Sequence, residues 1–173
     1  MTGVGAVGSL REGFGGLELQ LRRIFSRGYT LFEIVVVLAI GGIVFSLALP
    51  ALQSYIDRTR VAQAITDITQ MQLVIKQYSK TKGAFPDSLA DVSLDTRLDP
   101  WGRPYQYLNL VTLKGNGQAR KDKKLNPLNS DYDLYSVGAD GDSKPQLTNS
   151  VSRDDVVRAR DGGFIGLATD FDP

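Results

Sequence analysis

Carboxylate side chains are the groups in this chain whose type and spacing could support chemistry. The 173 residues include neither histidine nor cysteine, which removes imidazole bases, thiol nucleophiles, disulfides and the usual zinc ligands. Asp140, Asp154 and Asp155 lie within a short stretch near the C-terminus, and Glu33 stands alone beside an uncharged run. Carboxylates in these settings could bind a cation, transfer a proton or pair with a charge.

The C-terminal acids allow two interpretations on spacing alone. Calcium takes about six to eight oxygen ligands, often from a glycine-containing loop, and Asp140 in Gly-Ala-Asp-Gly-Asp, with the Asp154-Asp155 pair, could supply them. The spacing differs from that of an EF-hand, and the same string is typical of a β-turn rich in Asp and Gly. A hydrolase built on paired carboxylates is a further alternative. Since nothing in the sequence marks a substrate cleft, we expect no enzyme.

Glu33 immediately precedes an apolar run from Ile34 to Leu52 that contains no charge. A helix of about 20 such residues spans a bilayer, whereas a soluble core helix of this length shows a polar stripe. A cleaved secretory signal has a shorter apolar region that ends at a small-residue site. The sequence therefore predicts a membrane-inserted helix, in which an ionisable group such as Glu33 needs a partner.

Basic residues precede the apolar run, at Arg22, Arg23 and Arg27. Positive charge beside a membrane span keeps that end in the cytoplasm. The formal net charge of the chain is only +1, so no nucleic-acid partner is expected.

One helix is predicted from Tyr29 to about Lys82, with Gly83 as its stop. Its first half is apolar all round, and Pro50 could soften it locally. Its second half is amphipathic, with apolar residues at helical spacing: Leu52, Ile56, Val61, Ile65, Ile68, Met71, Ile75 and Tyr78. This stripe predicts that the helix packs on its own globular domain.

Two short strands are predicted beyond the helix, over 105–108 and 133–137, where the residues alternate. Trp101, in a Pro- and Gly-rich turn, is expected to be a packing anchor. Residues 114–130 carry a basic cluster that includes Arg120, and they indicate either a contact for an anionic partner or a solvated hairpin tip, which we favour. The predicted fold class is α+β, with the long N-terminal helix packed on a small antiparallel sheet that has long C-terminal loops.

The string Gly28-Tyr-Thr-Leu-Phe-Glu33, followed by the apolar run, resembles the class III signal of type IV pilins and type II secretion pseudopilins. The resemblance implies cleavage by a prepilin peptidase after Gly28 and N-methylation of Tyr29. It also implies that Glu33 neutralises the ammonium group of Tyr29 in a neighbouring subunit during assembly. The expected divisions are a leader at 1–28, a transmembrane and assembly helix at 29–52 that contains Pro50, and a periplasmic globular domain at 53–173.

The string Asp99-Pro-Trp-Gly-Arg-Pro-Tyr105 resembles the globular domain of the major pseudopilin of type II secretion. The resemblance continues in Tyr132-Asp-Leu-Tyr-Ser-Val-Gly-Ala-Asp-Gly141 and the later Asp154-Asp155 pair. It implies one structural calcium, with Asp140, Asp154 and Asp155 among its ligands. The segments 114–130 and 143–170 are longer here than in the pattern that the chain resembles.

The expected function is that of a structural subunit which polymerises into a periplasmic pseudopilus for protein export; the alternative is a structural pilin of a type IV pilus. The implied partners are other copies of the chain, the prepilin peptidase, minor pseudopilins, the inner-membrane assembly platform and the membrane itself, contacted through Ile34–Leu52. The implied location is the bacterial inner membrane, crossed once, with the globular domain in the periplasm.

Overall fold

The computed structural model describes residues 28–115 and 117–172, so residues 1–27 of the expected leader lie outside the described residues. The chain divides into two units, Met1–Pro50 and Ala51–Pro173. In the first unit the described residues are 28–30 and the start of the long helix, and the second unit contains the four strands.

The helix α1 comprises Leu31–Lys82 and contains Pro50. It begins at Leu31 rather than at Tyr29, and it ends where the sequence predicts. Gly83 follows it with a φ of 76°, and the N–H of Gly83 donates to the carbonyl oxygen of Ser79 at 2.8 Å. A glycine in the left-handed region is a common end for a helix because it has no Cβ to strain.

The second unit contains one antiparallel sheet of four strands in the order β1-β2-β3-β4. The strands are β1 Gln106–Asn109, β2 Tyr132–Ser136, β3 Val156–Ala159 and β4 Phe164–Leu167. The sequence predicts β1 and β2 within a residue or so. It does not predict β3 and β4, and both lie inside the segment 143–170 that was expected to be a long loop.

The second half of α1 packs on one face of the sheet. Its buried residues Ala64, Ile68, Met71 and Ile75 form one apolar cluster with residues of the strands, namely Tyr132, Leu134 and Val156. The α+β prediction is therefore confirmed. The predicted stripe is wrong at its start, since Leu52 and Ile56 are exposed. Trp101 packs against this cluster, as expected of a packing anchor.

A second apolar cluster lies on the other side of the sheet. Val156 belongs to the helix-facing cluster and Val157 to the second one, because successive side chains of a strand point to opposite faces. The remaining members of the second cluster come from the two long segments and β3: Leu128, Leu147, Ala159 and Ala168. The segments 114–130 and 143–170 therefore cover the sheet face that the helix leaves open.

Candidate functional site

The first turn of α1 is capped by Thr30. The N–H of Glu33 donates to Oγ1 of Thr30 at 3.1 Å, and the N–H of Ile34 donates to the carbonyl oxygen of Thr30 at 3.1 Å. A Thr three residues before a Glu is also the spacing of a capping box, a local signal that marks the helix start more closely than the apolar pattern does. The helix dipole favours a carboxylate in this first turn, so Glu33 suits the start of the helix.

Glu33 is exposed, as are Gly28, Tyr29 and Pro50, the other residues predicted for cleavage and assembly. Among residues 28–115 and 117–172, no cationic side chain lies within ion-pair distance of Glu33. A carboxylate beside an apolar surface is costly unless it is paired. The structure therefore places Glu33 where a charge from another molecule could reach it.

Large apolar side chains cover the first half of α1 and are exposed on every side. Leu31 is 86% exposed, Phe32 77% and Leu38 69%. Within the described residues, α1 is the one helix long and apolar enough to cross a membrane, judged by length and composition. An apolar surface of this size needs lipid or protein to cover it.

The turn that contains Asp99 is held by the carboxylate of that residue. Oδ1 of Asp99 accepts from the N–H of Trp101 at 3.0 Å and from the N–H of Arg103 at 2.8 Å. Oδ2 accepts from the hydroxyl of Ser136, in β2, at 2.5 Å. Arg103 in turn donates to the carbonyl oxygen of Gly138 at 2.6 Å. The motif thus fixes the chain just before Asp140.

The three acids that were predicted to bind calcium make two separate sets of contacts. Oδ2 of Asp154 accepts from the N–H groups of Ala139 and Asp140, at 2.7 and 3.0 Å. Oδ1 of Asp140 accepts from the N–H of Asp142 at 2.9 Å, which is the β-turn arrangement. Asp155 instead lies 2.5 Å from Nη2 of Arg120 in a buried ion pair. The structure therefore joins Asp154 to the loop and Asp155 to an arginine.

Asp155 is 0% exposed. Burial raises the pKa of its carboxyl, and the charge of Arg120 and the hydroxyl of Ser143 oppose that rise. A carboxyl in this position cannot contact a substrate in solution. The hydrolase alternative, which needs accessible paired carboxylates, gains no support from this geometry.

The donor set does not suit a calcium ion at Asp155. The guanidinium of Arg120 already contacts Oδ2 of Asp155, and a divalent cation beside it would meet a like charge at low dielectric. The expectation of calcium remains a prediction, and the geometry favours a different cation.

The prediction for residues 114–130 is wrong at Arg120. This residue was expected in a solvated hairpin tip, yet it is only 2% exposed. Periodicity could not identify it, because its partner Asp155 is far away in sequence and the ion pair exists only in the folded chain.

Comparison with known proteins matches residues 25–49 to the prokaryotic N-terminal methylation motif. The chain is 30% identical over 142 residues to the type II secretion system core protein G of Pseudomonas aeruginosa, covering 70% of this chain and 89% of that protein. It is 36% identical over 147 residues to a type IV major pilin protein of Neisseria gonorrhoeae, covering 80% and 87%. A core protein G of Aeromonas hydrophila is 28% identical over 146 residues, covering 72% and 90%. No solved structure matches the chain.

An exposed apolar helix that carries the methylation motif and continues onto a small antiparallel sheet defines a pilin-like structural subunit. The chain belongs to the type IV pilin and pseudopilin superfamily, and within it the chain is similar to core protein G of type II secretion.

Proposed function

We propose that this chain is a major pseudopilin, a non-catalytic subunit that polymerises through α1 into a periplasmic pseudopilus and drives protein export by type II secretion. The observation that carries the proposal is the uncovered apolar surface of the first half of α1, with Glu33 in its first turn. Similarity to core proteins G of several bacteria supports the same conclusion.

The exposed apolar surface gives a physical reason for assembly. In the membrane, lipid covers the side chains of Ile34–Leu52. When a subunit leaves the membrane, the same side chains must be covered by other copies of the helix, packed in a helical, head-to-tail array. In the filament, neighbouring helices therefore replace lipid as the surroundings of these apolar side chains.

Glu33 sets the register of that array in this proposal. Cleavage after Gly28 creates an ammonium group on Tyr29, and this group in one subunit pairs with Glu33 of its neighbour. A carboxylate left unpaired inside an apolar bundle is strongly destabilising. Only one axial offset between neighbours pairs every charge, so the offset is fixed. Pro50 gives the helix a point at which it can bend during packing.

The methylation motif and the relatives support processing by a prepilin peptidase, which would leave an N-methylated Tyr29. Before assembly, the chain would cross the bacterial inner membrane once, with the globular domain in the periplasm. The remaining partners in the proposal are the minor pseudopilins and the inner-membrane assembly platform.

A type IV pilus subunit is the second candidate, and the 36% identity to a type IV major pilin protein favours it. Two features favour the pseudopilus. One is the turn from Asp99 to Arg103, whose sequence resembles that of the major pseudopilins. The other is the absence of cysteine, since surface pilins generally close a C-terminal loop with a disulfide.

Deletion of the gene in its own bacterium separates the two candidates. For a pseudopilin, we expect exported enzymes to accumulate in the periplasm and their activity in the medium to fall, while surface fibres persist. The wild-type gene restores export, and a gene encoding Gly28→Glu, which blocks cleavage at the leader, does not. Loss of surface fibres with normal export would overturn the proposal in favour of the pilus.

A further inference from the structure

The geometry points to Arg120 as the internal cation of the C-terminal segment: we propose that its guanidinium takes the place of a structural metal ion at Asp155, so that the globular unit is held together without calcium. This inference concerns the second unit alone and does not depend on which filament the chain forms.

Arg120 and Asp155 form a closed set of contacts with Ser143. Nη2 of Arg120 lies 2.5 Å from Oδ2 of Asp155, and Nη1 of Arg120 donates to the hydroxyl oxygen of Ser143. That hydroxyl donates to the same Oδ2 of Asp155 at 2.6 Å. A single cation thus contacts an acid and a hydroxyl that lie 12 residues apart in the chain, as a bound metal ion would.

The guanidinium is fixed on its other sides as well. Its central carbon lies 4.2 Å from the ring centroid of Tyr135, a cation–π contact that suits arginine better than lysine. The backbone N–H of Arg120 donates to Oδ2 of Asp133 at 2.7 Å. With both Arg120 and Asp155 almost fully buried, the pair is a built feature of the fold.

Backbone pairing carries Arg120 to its partner. The N–H of Lys121 donates to the carbonyl oxygen of Pro145, and the N–H of Leu147 donates to that of Lys121, both at 2.9 Å. These bonds join the two segments that are longer here than in the resembled pattern, 114–130 and 143–170. The first of them supplies the arginine, and the second contains the acid.

The ion pair also fixes the segment that follows β4. The N–H of Ala168, just after β4, donates to the carbonyl oxygen of Asp155 at 2.9 Å. Fixing Asp155 therefore fixes both the β2–β3 connection and the segment after β4. In a chain without cysteine, a buried charge pair performs the cross-linking that a disulfide or a metal ion performs elsewhere.

Two buried atoms at this pair have no hydrogen-bond partner among the described residues: Oδ1 of Asp155 and Nε of Arg120. A free carboxylate oxygen is a possible metal ligand, but a divalent cation bound to it would lie on the carboxylate that the guanidinium already neutralises. Repulsion between the two cations opposes that arrangement. The carboxylate of Asp155 therefore pairs with one cation, and that cation is the guanidinium of Arg120.

The test uses the full mature chain in detergent micelles, with fluorescence of Trp101, the one tryptophan, as the signal of thermal unfolding. We expect equal melting temperatures with added calcium and with a chelator. Arg120→Met should lower the melting temperature by more than about 10 °C, since a buried acid loses its partner. Lys123→Met, which removes an exposed cation of the same segment, should leave it within about 2 °C.

A second measurement covers the case in which Arg120→Met does not fold. Equilibrium dialysis of the unaltered chain against calcium alone should show no stoichiometric binding, and Arg120→Lys should fold with a lower melting temperature, because lysine lacks the planar fork. Stoichiometric calcium binding, or a higher melting temperature with calcium than with chelator, would overturn the proposal. So would an Arg120→Met chain that melts like Lys123→Met.

Discussion

Nε of Arg158, in β3, donates a hydrogen bond to Oε1 of Gln72, in α1, across 2.6 Å. The same guanidinium bonds both carboxylate oxygens of Asp131, at 2.7 and 2.6 Å, and lies 4.0 Å from the ring centroid of Tyr132. The side chain of Arg158 is fully buried. Arg158 of the third strand is thus held by a bidentate ion pair with Asp131, the strongest arrangement of this type, and it ties the sheet to the helix through the hydrogen bond to Gln72.

Replacing Arg158 by methionine should lower the free energy of unfolding by about 3–5 kcal/mol, because Asp131 and Gln72 lose their partner while partly or wholly buried. Denaturant unfolding of the mature chain in micelles, followed by Trp101 fluorescence, measures the change. Arg153→Met is the matched control, since Arg153 is exposed, and it should change stability by less than about 0.5 kcal/mol. Equal effects of the two substitutions would contradict the role of Arg158.

Gly162 lies beside the contact between Gln72 and Arg158. Its φ is 92°, and a Cβ at this position would overlap Oε1 of Gln72. Gly162→Ala should therefore cost more than the roughly 1–2 kcal/mol of left-handed strain alone, because it also displaces the partner of Arg158. Gly83→Ala is the control for strain, since Gly83 has a φ of 76° and a Cβ added there would meet nothing within 4 Å. Denaturant unfolding compares the two variants. If both substitutions cost the same, the Gln72 contact contributes nothing.

Glu33→Gln should reduce filament formation by about tenfold or more, because a free-energy loss of only about 1.4 kcal/mol already gives that factor. The amount of membrane-inserted subunit should stay the same, since glutamine still fits the apolar run. Sheared fibres and membrane fractions, compared by immunoblot, give the two quantities. Ser46→Ala alters the same helix without removing a charge and should assemble normally. Normal fibres from the Glu33→Gln chain would disprove the charge-pairing role.

Alkaline pH should destabilise the globular unit through its buried tyrosines. Burial is the largest cause of a pKa of about 12 for Tyr132, and it also raises the pKa of Tyr105, Tyr107 and Tyr135. The folded state favours the neutral phenols, whereas the unfolded chain ionises near pH ~10. Stability is therefore fully present below that value and falls as pH rises through the folded pKa values.

The measurement is the free energy of unfolding at a series of pH values, together with phenolate absorbance. Four of the seven tyrosines should ionise only late or together with unfolding. Tyr132→Phe should make the fall with pH shallower, because one linked proton is removed. A stability that stays constant up to pH ~12 would contradict the linkage.

The helix and its exposed apolar half follow from the sequence because their causes are local. An uncharged run, a glycine stop and an apolar stripe at helical spacing each act between residues close in the chain. The first two strands are predictable for the same reason, since alternation marks them. The predicted apolar stripe is wrong only at Leu52 and Ile56, which are exposed because no residue of the sheet covers them.

Strands β3 and β4 have weaker local signals, and they form because β2 offers an edge to β3 and β3 in turn offers one to β4. Arg120 gives the clearest contrast. In the sequence it belongs to a polar, basic segment that predicts solvent exposure, and only folding brings it to Asp155. The sequence alone determined the long apolar helix, the lone carboxylate in its first turn and the fold class, because short-range patterns encode them. Tertiary structure decided which cation faces which acid, because burying a charge requires a partner that the chain reaches only when folded.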